Sequence, residues 1–272
     1  MVYDSKINGQ VSVKNDVLFS AYLDRDVLVD FYFPPHMQEL NQVSLLLIND
    51  GQDLPVMLFT DILSNLYQNH SLQPVLCVGI HCGTDRKNEY GTEGQLNYRS
   101  QGAKAGEYTK FDLQELLPYI QKTYSVSSFA DKSFAGFSLG GLSALDIVLN
   151  HPDEFVNAAA FSGSFWWRSR GYGREYDDDT DRIMHACIRN LPYRQHLSFF
   201  FECGALDELA DRNNNGIIDS IDDTLDIIKE LKAKGYTDEA IKYVELPDGM
   251  HNVATWARAF PDYLLWRWGM KS

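Results

Sequence analysis

Cysteine is scarce in this chain, and it contains neither a basic excess nor a long apolar run. Four cysteines among 272 residues are too few for a disulfide scaffold, and their spacing is not that of a metal site. Cys77, Cys187 and Cys203 lie in apolar runs and read as small core residues, whereas Cys82 follows a strand-like run and is expected nearer the surface. No stretch approaches the ~20 apolar residues needed to cross a bilayer. Met1 to Lys6 lack the basic and apolar blocks of a signal peptide, so a soluble, non-exported, cytoplasmic chain is expected unless a leader was removed. Lysine and arginine number 24 against 38 Asp and Glu, a formal net charge of −14. Nucleic acid and anionic membranes require a basic footprint, so neither is an expected partner. Repeats, low-complexity tracts and Pro/Gly/Ser-rich linkers are also missing, so a single domain over residues 1–272 is the simplest organisation.

What is present is an alternation of short apolar runs and helical patterns, with hydrophobic residues at 44%. Val11 to Ser20 and Val27 to Phe33 read as an antiparallel edge. Further strands are expected at Val43 to Ile48, Pro74 to Ile80, Ser133 to Phe137, Val156 to Phe161, Leu197 to Phe201 and Ile241 to Leu246. Helices are expected near Val56 to Gln68, Lys110 to Tyr124, Leu139 to Asn150, Asp181 to Asn190, Thr224 to Lys234 and Val253 to Trp268. Continuous apolar strands separated by amphipathic helices imply an α/β fold: a mostly parallel sheet covered on both faces. Ligands of such folds sit beyond the carboxyl ends of the strands.

One strand-to-helix junction carries a chemical signature. Gly136, Ser138 and Gly140 fill the three fixed places of G-x-S-x-G. A strand that turns at once into a helix leaves no room for side chains beside the serine, pushes the Ser138 hydroxyl out above the sheet, and leaves the first helical amides, Leu139 foremost, unpaired. The pattern alone is weak, arising by chance in roughly one chain in ten of this length; a Gly-rich turn with an ordinary serine fits it equally. Chain order adds weight. In hydrolases built on this corner the acid follows a later strand and the histidine a strand beyond that. The run ending at Glu202 leads into Cys203 to Glu208, offering Asp207 first and Glu208 second, and the run ending at Leu246 leads into Pro247 to Asn252, offering His251. His36, His70, His151, His185 and His196 fall at loops, helix ends or helical regions. His81 follows a strand but precedes Ser138 and would reverse the order.

Several longer stretches resemble one family. They are Asn49-Asp50-Gly51-Gln52, Asp85 to Tyr90, Glu115 to Ile120, Gly136 to Gly141 and Phe161-Ser162-Gly163-Ser164-Phe165-Trp166-Trp167. Together they make the chain, from about Val27 to Trp266, similar to the esterase family that includes enterochelin (ferric-enterobactin) esterases, esterase D and bacterial feruloyl esterase modules. The resemblance implies an α/β-hydrolase without a large separate cap, with Ser138 as nucleophile, Asp207 as acid and His251 as base. It implies a second oxyanion donor in the Gln52 backbone N–H, beside that of Leu139, and a small-molecule or carbohydrate ester as substrate, without a catalytic cofactor. Arg86, Trp166 and Trp167 would border the substrate; alternatively Arg86 pairs with Glu89 and the tryptophans are core. An acyltransferase with the same triad, or a non-catalytic binding module on this scaffold, remains open.

A departure from the family follows Asp207. Asp211, Asn213 and Asn215 stand at positions one, three and five of an EF-hand-like loop, Gly216 at six, Ile217 at seven, Asp219 at nine and Asp222 at twelve. That spacing is expected to bind a structural calcium ion; a solvated turn capping the next helix through Asp222 or Asp223 is the alternative. A second acidic run, Glu175 to Asp181, fits a small lid beside the substrate cleft and, equally, a solvated loop with helix N-terminal charges.

Overall fold

The computed structural model describes residues 10–35, 40 and 42–270. Residues 1–9, 36–39, 41 and 271–272 fall outside these, and with them His36 and the Met1 to Lys6 segment. The chain opens on a hairpin, β1 (Ser12–Ser20) and β2 (Arg25–Phe33), followed by β3 (Ser44–Asn49), α1 (Phe59–Gln68) and β4 (Val75–Ile80). A long excursion carries α2 (Arg86–Glu89), α3 (Ala105–Lys110), a π-helical turn over Phe111–Leu116, and α4 (Leu117–Thr123). Then come β5 (Lys132–Phe137), α5 (Leu139–Asn150), β6 (Asn157–Phe161), α6 (Asp178–Asp181), α7 (Ile183–Asn190), β7 (Ser198–Leu206), α8 (Asp219–Lys234), β8 (Ile241–Met250) and α9 (Val253–Trp268).

These strands form one eight-stranded sheet in the order β1-β2-β4-β3-β5-β6-β7-β8. The β1–β2 and β2–β4 pairs are antiparallel and the rest are parallel. This is the expected α/β-hydrolase sheet with an antiparallel N-terminal edge. Alternate residues of each inner strand enter opposite cores, as a two-residue pleat requires. Leu45, Leu47, Leu76, Val78 and Phe134 meet α4, α5, α7 and α8, while Leu46, Ile48, Cys77, Ala135 and Phe137 meet α1 and α9. Each such Leu or Phe contributes about 1.5–3 kcal/mol by leaving water. Helix α5 is buried at every residue except Asn150, which anchors the corner before it.

Several boundaries differ from the expectations. The expected helix over Lys110 to Tyr124 is present and continuous with α3, but takes a π turn over Phe111–Leu116, just before Pro118, which has no N–H to give residue 114. Helix α8 begins at Asp219 rather than Thr224, and β7 and β8 run on to Leu206 and Met250. Cys187 is half-buried rather than core, while Cys77 and Cys203 are buried.

Candidate active site

The chain leaves β3 outward to β4 and returns to place β5 on the other side of β3. The carboxyl ends of β3 and β5 therefore lie side by side at a topological switch point, where such sheets open a crevice. Ser138 stands on the corner between β5 and α5 with φ 53° and ψ −120°, a backbone that non-glycine residues adopt only when their surroundings enforce it. Enforcement is visible. The Ser138 N–H donates to the Phe161 carbonyl at 2.8 Å, and its own carbonyl accepts from Gly141 and Ser164, both at 3.0 Å. A Cβ at Gly136 would lie 2.2 Å from the Gly140 carbonyl oxygen, so the strand and the first helical turn meet backbone to backbone. The half-buried Ser138 Oγ lies 3.3 Å from Ser164 Oγ.

Across the crevice, Asp50 ends β3 in a left-handed conformation, φ 60°. Gly51 follows with its α-carbon against the Gly79–Ile80 backbone, where a Cβ would come within 2.5 Å. Gln52 comes next. Among the described residues, neither the Leu139 nor the Gln52 backbone N–H donates a hydrogen bond within the protein. The two amides on which the oxyanion expectation rests are thus free, one on each side of the crevice.

Asp207 and His251 meet because of strand register. Leu206 pairs with Met250 at the last rung of β7 and β8, so the next residue of each strand emerges beside the other. A Cβ on Gly204 would lie 2.5 Å from the Gly249 carbonyl carbon and 2.6 Å from Asp207 Oδ1; two glycines allow this close crossing. Asp207 Oδ2 is 3.8 Å from His251 Nδ1, with the Asp207 side chain fully buried and His251 38% exposed. That separation is an ion-pair distance, longer than a hydrogen bond, and neither Asp207 oxygen has a hydrogen-bond partner. The imidazole stands edge-on to Trp256 at 5.4 Å, and Trp256 Nε1–H donates to Ser162 Oγ at 2.9 Å. No hydrogen bond closes from His251 to Ser138 among the described residues. Catalytic bonds of this kind are often long in unliganded sites and tighten around substrate.

Glu208, the second choice of acid, makes no ion pair with His251; burial raises its carboxyl. The rival histidine, His81, is committed elsewhere, its Nε2 lying 2.7 Å from Asp30 Oδ2. Sequence reasoning did not single out Glu202, which is buried in β7 opposite Val244 with both carboxylate oxygens unpartnered. Burial, reinforced by the Asp207 charge, pushes its carboxyl up to about 8. A lone acid in Phe199-Phe200-Phe201-Glu202 was the available signal.

The remaining expected contacts separate. Trp167 is 1% exposed, and its ring packs on Gly91 and Gly102, so it belongs to the core. Trp166 is half-buried, packed against the core with the Arg168 guanidinium 5.8 Å from its ring centre. Arg86 does not pair with Glu89, which binds Arg25 at 2.7 Å; it grips Asp50 instead, at 2.7 and 2.6 Å.

In the 211–222 loop, Asp211 accepts the backbone N–H of Asn215 and Gly216, and Asn215 Oδ1 accepts that of Ile217. The side-chain amides of Asn213 and Asn215 both reach Asp222 Oδ2, at 2.7 and 2.9 Å. Asp219 turns away, accepting from the Arg212 N–H at 2.8 Å with its guanidinium at 3.2 Å. Arg212 also pairs with Asp223 and with Asp178 of the second acidic run. That run is accordingly tied to the loop through an ionic cluster. Among the described residues, no group of three or more His, Cys, Asp or Glu is placed to hold a metal ion. None of the helices among them is long and apolar enough to cross a membrane.

The model of one protein family, described as "Putative esterase", matches residues 20–266. A stretch of 63 residues is 44% identical to the iron(III) enterobactin esterase of Escherichia coli K12, covering 23% of this chain and 16% of that protein. Among solved structures, a ferulic acid esterase aligns with a TM-score of 0.70 at 19% identity, over 95% of this chain and 97% of that one. The enterochelin esterase from Shigella flexneri aligns with a TM-score of 0.71 at 21% identity, over 93% of this chain and 57% of that one. A siderophore hydrolase from Aspergillus nidulans aligns at 0.67 and 16% identity, over 97% of each chain. The chain thus spans little more than half the length of the bacterial enterochelin esterase, and at these identities the structural likeness establishes the α/β-hydrolase fold.

Proposed function

The chain belongs to the esterase family whose model it matches, and within that family we propose that it is a serine carboxylic-ester hydrolase working through Ser138, His251 and Asp207. The observation that carries the reading is the strained corner at Ser138, flanked by the free amides of Leu139 and Gln52. His251 takes the Ser138 proton as Oγ attacks the ester carbonyl. The two amides then hold the oxyanion of the tetrahedral intermediate, and His251 returns the proton to the leaving alcohol. Water, deprotonated by the same imidazole, releases the acid from the acyl-enzyme. Asp207 fixes the ring and stabilises its cationic form. An oxyanion donor is worth roughly 3 kcal/mol of barrier, so the geometry of the corner counts as much as the triad.

The similar ferulic acid and enterobactin esterases favour feruloyl, siderophore or acyl-sugar esters as the substrates to screen, with half-buried Trp166 as the aromatic side chain proposed to meet them. In the test, the parent cleaves short p-nitrophenyl esters and is labelled by a fluorophosphonate, whereas Ser138→Ala does neither. A Ser138→Ala protein as fast as the parent would remove Ser138 as nucleophile. Product analysis with an alcohol acceptor separates hydrolysis from acyl transfer.

We also propose that the 211–222 loop binds a structural calcium ion through Asp211, Asn213, Asn215 and Asp222, with Ile217 offering its carbonyl. What supports this is the spacing of oxygen-bearing residues along the loop, with the amides of Asn213 and Asn215 hydrogen-bonded to Asp222. Asp219, held by Arg212, takes no direct part. The ion would neutralise carboxylates beside the segment that carries Asp207, and no step of the chemistry passes through it.

A further inference from the structure

We infer that Arg86 is a positioning residue for the oxyanion hole, its guanidinium tying the loop that presents Gln52 to the corner that presents Ser138 and Leu139. The inference rests on the ester-hydrolase reading above. An oxyanion hole built from two loops has a weakness: the pairing of β3 with β5 is last registered at Ile48 and Ala135, and Gln52 and Leu139 both lie beyond that rung. Arg86 spans that gap. Its Nε and Nη2 donate to Asp50 Oδ1 and Oδ2 at 2.7 and 2.6 Å, and the same Nη2 reaches the carbonyl of Phe137, the residue before Ser138, at 3.3 Å.

The Asp50 side of the clamp passes directly to Gln52. Gln52 Nε2 donates to Asp50 Oδ1 at 3.2 Å, and Gln52 Oε1 accepts the Cys82 N–H at 3.1 Å. Asp50 donates its own N–H to the Tyr90 hydroxyl at 3.1 Å, and the Tyr90 ring lies under the guanidinium at 5.1 Å. On the corner side, Asn49 Nδ2 donates to the Gly140 carbonyl at 2.8 Å. A Cβ at Gly140 would lie 2.6 Å from Asp50 Oδ2, so the third glycine of the signature keeps space for this ion pair.

The chemistry requires arginine. A planar fork can bind both carboxylate oxygens and still have a proton for a third acceptor, whereas an ammonium cannot span the three. The Asp50 side chain is 2% exposed and the Arg86 side chain 30%. The charge of Arg86 is thus balanced by a buried carboxylate, which favours a positioning role over recognition of an anionic substrate.

Arg86→Lys keeps the balancing charge while losing the span, so it is the informative variant. Activity is measured per active site, titrated with a fluorophosphonate, so that a loss of folded protein does not register. The expected result is a fall in kcat of roughly tenfold to a hundredfold with KM within about threefold. The affinity for an aryl trifluoromethyl ketone, whose adduct places an oxyanion in the hole, should fall by the same factor as kcat. Asp50→Asn, which keeps a residue tolerant of left-handed backbone, should reproduce the pattern and carries the test if the lysine variant does not fold. An unchanged kcat per site overturns the inference. A raised KM with kcat intact also overturns it, because Arg86 would then be contacting substrate. A parent that cleaves no ester sinks the hydrolase reading, and the inference with it.

Discussion

At Asp207 and Glu208, adjacent carboxylates part company because only one follows the Leu206–Met250 rung into contact with His251. Asp207→Asn is expected to lower kcat by roughly a thousandfold or more, through the wrong imidazole tautomer, while Glu208→Gln stays within about threefold. A steady-state ester assay that found the reverse order would reassign the acid. Glu202 allows a second prediction. Its carboxyl is raised from about 4.5 to about 8, so between those values the folded chain holds a proton that the unfolded chain has lost. Stability therefore declines as pH rises through that window, by up to about 1.4 kcal/mol per pH unit. Asp146, raised to about 7 by burial, acts in the same direction. Glu202→Gln should gain on the parent in urea midpoint from pH 5 to pH 8, with the Asp146 part of the slope remaining; parallel curves would show that Glu202 titrates normally. Ser138, Asp207 and His251 were legible because their spacing follows strand ends. The partner of Arg86 was not, since Asp50 lies 36 residues away and the parallel pairing of β3 with β4 brings them together. Nor could adjacent tryptophans reveal which one turns inward: Trp167 does so because Gly91 and Gly102 leave a slot for its ring.

Two prolines mark how far local rules reach at the scale of elements. Pro118 follows a π turn and Pro261 sits inside α9, and neither ends its helix. For Pro261 the reason lies in what surrounds it. Trp256, Phe260, Tyr263 and Leu264 bury one face of α9 against the sheet, and that packing outweighs a missing backbone bond. Strand ends were underread for a related reason: the expected strands stop short of Gly204 and Gly249, which here permit two strands to cross closely. The 211–222 loop carries the element-scale prediction. Calcium at a hundredfold excess over its Kd should stabilise the protein by about 2.7 kcal/mol, seen as a higher melting temperature that EDTA reverses. Asp222→Asn should abolish the shift. Calorimetry without binding heat, together with a melting point indifferent to EDTA, would leave Arg212 as the sole organiser of the loop.

For the whole molecule, the strand order sets what can be adjacent. It brings the ends of β3 and β5 together at the switch point and those of β7 and β8 together at the far edge, so each half of the site is built from loops distant in sequence. The class of fold was legible from alternating runs and helical patterns. The exchange of β3 and β4 was not, because continuous apolar strands carry no address for their neighbours. The places where backbone meets backbone, Gly51 on Gly79, Gly136 on Gly140 and Gly204 on Gly249, have a consequence for how this protein tolerates change. In a library carrying every single substitution and selected for ester cleavage, positions 51, 136, 204 and 249 should be depleted as severely as 138. Gly173, which has open space where a side chain would go and no left-handed backbone to hold, should accept many residues. Sequencing the survivors would trace the crevice from its back wall, through residues that never touch a substrate.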